Sequence, residues 1–286
     1  MTEARVLDLD SFQLAAGGHR PPVDGVPVEA CAMEVVAYIA GEPWSDRPQC
    51  VDPVLAAMGR SINDRVGTER RQLLKPFLMR MIGTASDGKS DQRRALAGDW
   101  YLRTAIPALL DACELDDLAA QLRAIPQIVD RETSRAAVKA SKEVRSALAD
   151  LRRDRRDQFI DWLNPLASAK FGDAWAAWDA GAAWDAWDAG AAWDAWDAGD
   201  AGAAWDAGAA WDAGAAWDAG AAWDAWAARE QIATLLAEST DALTFRQALR
   251  GLAKDRAARL VARLDDDARR PDIFALLESM IDPKAA

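Results

Sequence analysis

The chain has 286 residues and a formal net charge of −12, from 46 acidic and 34 basic residues. Eleven of the acidic residues lie between Gly172 and Ala228, so the rest of the chain has 35 acidic against 34 basic residues, a balance that excludes a polyanion-binding bias. Three cysteines are too few for a disulfide framework and indicate a reducing, cytoplasmic setting.

The sequence predicts no targeting or membrane-spanning segment. Residues 1–10 lack the basic flank and apolar stretch of a secretory signal. No run reaches the ~18–20 apolar residues of a membrane span, because aspartates recur throughout the most apolar region. We therefore expect a cytoplasmic protein with no membrane contact and no direct nucleic-acid binding.

The N-terminal part of the chain is predicted to be helical after a short lead-in. Residues 1–27 contain paired glycines and paired prolines, which predict irregular structure. Residues 28–130 have apolar side chains at helical spacing without the alternation typical of strands, so they are predicted to form a helical domain. Asp52 and Thr68 are candidate helix N-caps, and Pro76 is expected to kink or split a helix.

Three further segments complete the predicted organisation. Residues 131–170 read as a charged amphipathic helix that Pro165 should break. Residues 171–228 contain the triplet array described next, and residues 229–286 are again helical in pattern. The predicted fold class is therefore all-α, with the array as an extended helix packed on flanking helices.

The array, residues 172–228, is an uninterrupted repeat of three-residue units. The first position is Trp or Gly, the second Asp or Ala, and the third Ala, with no Lys or Arg. A 3₁₀-helix and polyproline II also repeat in three, but long 3₁₀ runs are uncommon and the array has no proline. Its alanines favour an α-helix, in which each triplet falls ~60° short of a turn and the tryptophans follow a left-handed spiral.

The array is predicted to be helical only when its tryptophans are buried. It contains eight glycines, each of which costs a helix about 1 kcal/mol relative to alanine. Burial of one tryptophan contributes at most ~4–6 kcal/mol, so a few buried indoles offset all the glycines. The candidate packing or interaction residues are Trp175, Trp178, Trp184, Trp187, Trp193, Trp196, Trp205, Trp211, Trp217, Trp223 and Trp226.

The sequence is compatible with two alternative packing partners for the array. Its indoles can pack on flanking helices while its aspartates meet arginine-rich stretches, such as residues 152–156 and 256–263. Alternatively, the array is a surface for a protein partner or for self-association. Codons for Trp and Gly, and for Asp and Ala, can differ by a single base, so the segment has the pattern of a short DNA repeat that expanded by slippage. The number of triplets in such a repeat can vary. A segment of variable length suits a spacer or an assembly surface better than an active site.

Residues 83–90, GTASDGKS, match the phosphate-binding pattern GxxxxGK[ST]. A true P-loop follows a buried strand, whereas the residues before this loop are predicted to form a helix. Asp87 would also place a negative charge beside the phosphates. A turn between helices is the simpler interpretation, and a nucleotide-binding site in which Lys89 contacts phosphate is the alternative.

A metal site in the N-terminal domain is a further alternative. Its carboxylates would be Glu34, Glu42, Asp46 and Asp64. The repeated ExxE-like pair of helical pyrophosphohydrolases is absent, and a zinc site from His19, Cys31 and Cys50 lacks diagnostic spacing. A solvated His19 and a core Cys31 are the simpler interpretations, so no cofactor or metal is predicted.

One block of sequence resembles a known group of proteins. CAMEVVAY, starting at Cys31, is followed by GEPWSDRPQC and then by Asn63 and Asp64. The pattern resembles uncharacterised proteins of high-GC bacteria and their phages, which carry such an N-terminal block before an Ala-rich repeat region. The resemblance covers roughly residues 28–130 and implies no activity, cofactor or functional residue.

The leading functional hypothesis is a non-enzymatic helical scaffold or interaction protein that uses the array for partner binding or self-assembly. A nucleotide- or metal-dependent enzyme of the N-terminal domain is the first alternative. An acidic rod that occupies a nucleic-acid-binding protein is the second.

Overall fold

The computed structural model describes residues 5–23, 25–176, 181, 227–264 and 272–283. Within these residues, regular structure is helical apart from one isolated bridge between Leu14 and Ala30. The predicted all-α class is confirmed. In the same part of the chain, no helix has both the length and the apolar character needed to cross a bilayer.

The helices are separated by short connections. The first half of the chain contains α1 (Ala32–Ile39), α2 (Pro53–Arg65), α3 (Thr68–Arg71), α4 (Lys75–Met81), α5 (Ser90–Trp100), α6 (Ile106–Ala112), α7 (Asp116–Arg123) and α8 (Arg131–Ala140). The second half contains α9 (Lys142–Phe171), α10 (Asp173–Ala176), α11 (Arg229–Glu238), α12 (Ala242–Leu264) and α13 (Ile273–Ile281). A 3₁₀ turn joins α3 to α4, and a turn of π-helix joins α5 to α6.

A capping side chain explains where α2 begins but not where α3 begins. Asp52 caps α2 as predicted, because its Oδ1 accepts a hydrogen bond from the Val54 N–H at 2.9 Å and Pro53 occupies the first turn. Thr68 was expected to cap α3, which is wrong. It is the first residue of that helix, and Gly67 occupies the cap position.

The prolines affect the helices in different ways. Pro76 lies in the first turn of α4, directly after the 3₁₀ turn, so the predicted split is confirmed. Pro165 lies inside α9, which continues past it, so the predicted break is wrong. Leu163 and Ala167, on either side of Pro165, are fully buried. Their packing offsets the backbone hydrogen bond that proline cannot donate.

The charged segment after residue 130 is two helices, α8 and α9, rather than one continuous helix. Ser141 separates them, with a buried side chain whose hydroxyl donates to the Val138 carbonyl at 3.1 Å. Asp130 begins α8 with a capping box, in which its carboxylate accepts from the Thr133 N–H at 2.8 Å. The helical character of this segment was predictable from the sequence, but the break at Ser141 was not.

The first hydrophobic cluster, the N-terminal core, lies between α1, α2, α4, α5 and α13. Every residue of α1 is buried, and six of the eight belong to this cluster. Phe12 and Leu14 of the lead-in also belong to this core, so the predicted irregular segment contributes to the core although its described residues, 5–23 and 25–27, contain no helix. Leu277 and Met280 of α13 return to this core from the far end of the chain. The predicted division had grouped α13 with the rest of residues 229–286.

Two further clusters are separate from the N-terminal core. The middle core joins α5 to α6, α7, α8 and the start of α9, and includes Leu110 and Leu148. The anchor core lies between the end of α9 and α10, α11 and α12, and includes Phe159 and Phe245. Because α9 contributes to both clusters, it fixes the anchor core to the remainder of the chain.

Candidate functional site

The array begins inside the anchor core. Helix α9 ends at Phe171, Gly172 follows with φ 54° and ψ −133°, and α10 starts at the next residue. Trp175 of α10 is 1% exposed. The first tryptophan of the array is therefore part of a hydrophobic core.

The surroundings of Trp175 satisfy both its ring and its N–H group. The ring lies against Phe245 of α12, with the centroids 5.8 Å apart and 49° between the planes. Its Nε1 donates to Oδ1 of Asn164, on α9, at 3.0 Å. An indole N–H buried without an acceptor costs about 1–3 kcal/mol, so Asn164 makes this burial favourable.

The array also ends in the anchor core. Ala228 closes the last triplet and is fully buried in the same cluster as Trp175. Ile232 and Leu236 of α11 follow directly in that cluster. Helices α9, α11 and α12 therefore hold both ends of the array, which begins and finishes at one place in the fold.

The other candidate tryptophans lie outside the described residues, and so do the predicted spiral and the packing of those indoles. They are Trp178, Trp184, Trp187, Trp193, Trp196, Trp205, Trp211, Trp217, Trp223 and Trp226. Two arginines that were expected to meet the array contact aspartates of their own helix. Arg153 pairs with Asp150, and Arg156 Nη1 lies 3.6 Å from Oδ1 of Asp157.

The block that carries the resemblance forms a polar network around Glu34. The carboxylate of Glu34 accepts hydrogen bonds from the backbone N–H of His19 at 2.6 Å and of Cys31 at 2.8 Å. It also lies 2.8 Å from Nδ1 of His19, while Trp44 donates to the His19 carbonyl at 2.9 Å. The expectation of a solvated His19 is wrong, because its side chain is only 13% exposed. The expectation of a core Cys31 is confirmed.

Asn63 and Asp64, two residues of α2, form hydrogen bonds with the backbone of the lead-in. The buried Asn63 accepts from the Ala32 N–H at 3.0 Å and donates to the Ala15 carbonyl at 2.9 Å. Asp64 Oδ1 accepts from the Gly17 N–H at 2.8 Å. Since these groups bind backbone atoms of the lead-in and of α1, the network acts as a structural clamp.

The candidate metal ligands are dispersed. Within the described part of the chain, no three His, Cys, Asp or Glu side chains form a group able to hold a metal ion. Glu42 accepts from a backbone N–H of its own loop at 2.6 Å, and Asp46 faces Arg60 at 3.9 Å. Burial raises the pKa of Cys31 to about 12 and that of Cys50 to about 11. Both thiols are therefore protonated at neutral pH, which makes them weak nucleophiles.

The GTASDGKS loop has the sequence of a P-loop without its surroundings. It follows the helix α4, whereas a P-loop follows a strand. The N–H groups of Gly83 and Ala85 donate to the Cys50 carbonyl at 2.9 and 3.2 Å. Gly83 and Gly88 adopt φ values of 86° and 74°, a region that glycine reaches without strain. The turn therefore accounts for both glycines of the pattern.

Arg93 joins this loop to the C-terminal helix. Its guanidinium is completely buried, with Nη1 donating to Asp87 Oδ1 at 2.8 Å and lying 3.4 Å from Asp52 Oδ2. Its Nε donates to the Met280 carbonyl at 2.8 Å, and its Nη2 to the Ile281 carbonyl at 3.3 Å. One side chain thus connects α2, the loop and α13. Sequence reasoning missed it, because one of these partners lies 188 positions away.

The hydrogen bonds from Arg93 hold the pKa of the Asp87 carboxyl below its ordinary value. Such a carboxyl stabilises the fold above its unfolded pKa of ~3.9, and this contribution disappears as the pH falls through the folded pKa. We therefore expect Asp87→Asn to destabilise the chain at pH 7, with a smaller difference from the wild type at pH ~3. Urea denaturation at both pH values measures this, and Asp91→Asn, at an exposed carboxyl, is the matched control. An equal difference at both pH values would contradict the prediction.

A cleft of about 670 Å³ lies between α5, α13 and residues 127–129. Leu96 and Ile128 contribute apolar surface, and Arg80 and Glu278 lie at its edge. These two side chains form a pair of hydrogen bonds, each 2.6 Å long. Their charges therefore satisfy each other, and this exposed pair connects α13 to α4.

The fold and the site define an all-α protein in which α9, α11 and α12 hold both ends of a tryptophan- and aspartate-rich array. No protein-family model, no curated protein and no solved structure matches the chain. Its function must therefore be inferred from its own residues.

Proposed function

We propose that the chain is a non-enzymatic scaffold protein whose array is a protein-interaction surface through which copies of the chain self-associate. The observation that carries the proposal is that Trp175 and Ala228, at opposite ends of the array, are buried in one cluster. An insertion that starts and finishes at the same place can change length by whole triplets without separating the helices around it. Such an arrangement suits a surface whose extent varies.

The composition of the array supports the same role. Tryptophan is enriched at the centres of protein interfaces, because its large ring is apolar and its N–H still selects an acceptor. Aspartates at the second triplet position, with no Lys or Arg in the array, keep such a surface soluble when it is unbound. The remainder of the chain is nearly neutral, so the array is its chemically distinct surface.

Contacts in the N-terminal core also favour a structural protein over an enzyme. Glu34 and Asn63 bind the backbone of the lead-in and of α1. Lys89, which would contact phosphate in a P-loop, lies 2.7 Å from Asp282 beyond the end of α13. These contacts support a structural role for the GTASDGKS loop and for the block that carries the resemblance.

Deletion of residues 184–222 tests the proposal, because it removes thirteen whole triplets and keeps both anchored ends. We expect the full chain to gain mass with concentration and the deletion variant to remain a monomer with a similar melting temperature. Light scattering after size-exclusion chromatography measures the mass. A matched control replaces the seven tryptophans of residues 184–222 with alanine, and we expect it to behave as the deletion does.

Two results would contradict the proposal. One is a full chain with the same mass and concentration dependence as the deletion variant. The other is a large fall in the melting temperature on deletion, which would make the array an internal support for the fold.

A further inference from the structure

The lead-in contacts the helical domain through a pattern of hydrogen bonds that is typical of a bound peptide. Gln72, in the 3₁₀ turn, binds both backbone groups of one residue: its Oε1 accepts from the Leu14 N–H at 3.0 Å, and its Nε2 donates to the Leu14 carbonyl at 3.1 Å. Other side chains bind four more backbone groups, namely the Ala15 carbonyl with Asn63, the Gly17 N–H with Asp64, the His19 N–H with Glu34 and the His19 carbonyl with Trp44. Contacts of this kind hold an extended segment by its main chain.

A backbone contact and two buried side chains complete the arrangement. The Ala15 N–H donates to the Ala30 carbonyl at 2.9 Å, beside the parallel bridge between Leu14 and Ala30. Phe12 and Leu14, separated by one residue, are 8% and 2% exposed and belong to the N-terminal core. In peptide recognition, main-chain hydrogen bonds supply affinity, and the pockets that alternate side chains enter supply specificity.

Gly17 adds a third requirement to this segment. Its φ is 80°, a backbone conformation that residues with a side chain rarely adopt. A Cβ added there would meet no atom within 4 Å, so the conformation requires the glycine and the available space does not. A segment that fits has two large apolar residues separated by one residue, with a glycine three positions after the second.

We propose that the surface under the lead-in is a peptide-binding site, which a partner-protein segment with this pattern enters by displacing the lead-in. The lead-in is then an autoinhibitory strap. The lead-in of a second copy makes identical contacts but lacks the effective concentration, on the order of millimolar, that tethering gives the resident segment, so it competes poorly. The groups of this lead-in site belong to Ala30, Glu34, Trp44, Asn63, Asp64 and Gln72. The inference is independent of the function proposed for the array.

A fluorescently labelled peptide of residues 8–20, added to full-length chains, tests the inference. Gly17→Ala disfavours the bound conformation of the resident lead-in and leaves every residue of the lead-in site unchanged. Gly18→Ala is the matched control, because Gly18 has no positive φ and a Cβ there would lie 3.9 Å from Oε1 of Glu34, an ordinary contact. Fluorescence anisotropy measures the dissociation constant of the peptide for each chain.

We expect the Gly17→Ala chain to bind the peptide about tenfold more tightly than the wild type, because a weakened resident segment is displaced more readily. Gly18→Ala changes binding by less than about twofold. A peptide carrying Leu14→Asp binds at least about tenfold more weakly than the unmodified peptide, because its carboxylate cannot enter the core. Equal binding of the two peptides, or equal binding by the two glycine variants, overturns the inference.

Hydrogen exchange of the wild-type chain provides a second test that needs no substitution. We expect the N–H groups of Leu14, Ala15, Gly17 and His19 to exchange at least about tenfold faster than those of α1, because the lead-in detaches while the helix remains folded. Exchange of both sets at one rate would make the lead-in an integral part of the core and would overturn the inference. If the chain lacking residues 184–222 forms a dimer that the peptide dissociates, a second copy is the occupant, and the assignment to a partner protein is wrong.

Discussion

We expect the Arg93→Met substitution to lower the free energy of unfolding by about 3–5 kcal/mol, the usual consequence of removing one partner from a buried ion pair. The guanidinium is fully buried, and the Asp52 side chain 3.4 Å away is 2% exposed. Methionine fills much of the same volume but leaves the Asp52 carboxylate buried without its cation. It also removes the donors that the carbonyls of Met280 and Ile281 use.

Urea denaturation at pH 7, followed by circular dichroism, measures the loss. Arg94→Met is the matched control, because Arg94 pairs with the exposed Asp91 and such a surface pair contributes about 0–1 kcal/mol. Arg93→Lys keeps the charge and loses the planar arrangement of donors, so we expect an intermediate effect. Similar small losses for the Arg93 and Arg94 variants would show that Arg93 does not hold α13 in place.

The helices were largely predictable because their signals are local. Asp52 before a proline identifies the start of α2, and Pro76 identifies the start of α4, from residues within one turn of each other. The predicted helix break at Pro165 is wrong because the course of α9 there depends on contacts that are distant in sequence. The packing of Leu163 and Ala167 in the anchor core decides the course of α9, and neighbours in sequence do not reveal that packing.

The candidate site was predictable in composition and unpredictable in contacts. The triplet pattern included Trp175 among eleven candidate packing or interaction residues, but its acceptor Asn164 comes beside it only because the chain reverses direction between α9 and α10. His19 and Glu34 meet for a comparable reason, since the lead-in folds back over α1. Apolar periodicity shows which face of a helix is buried. It does not show which element covers that face.

The Trp175→Ala substitution is expected to lower the free energy of unfolding by about 3–5 kcal/mol, because it leaves a cavity in the anchor core. Trp175 is 1% exposed and contacts Phe245 of α12. Trp162 of α9 is only half-buried, so Trp162→Ala is the control for loss of an indole and is expected to cost less. Urea denaturation measures both. Equal losses at the two positions would contradict the role of Trp175 as the anchor of the array.

A double-mutant cycle isolates the hydrogen bond from the packing. Trp175→Phe removes the N–H and keeps an aromatic ring, while Asn164→Ala removes the acceptor. If the 3.0 Å contact contributes as a buried hydrogen bond should, the two losses are non-additive by about 1 kcal/mol in urea denaturation. Additive losses would mean that the indole of Trp175 is held by its ring alone.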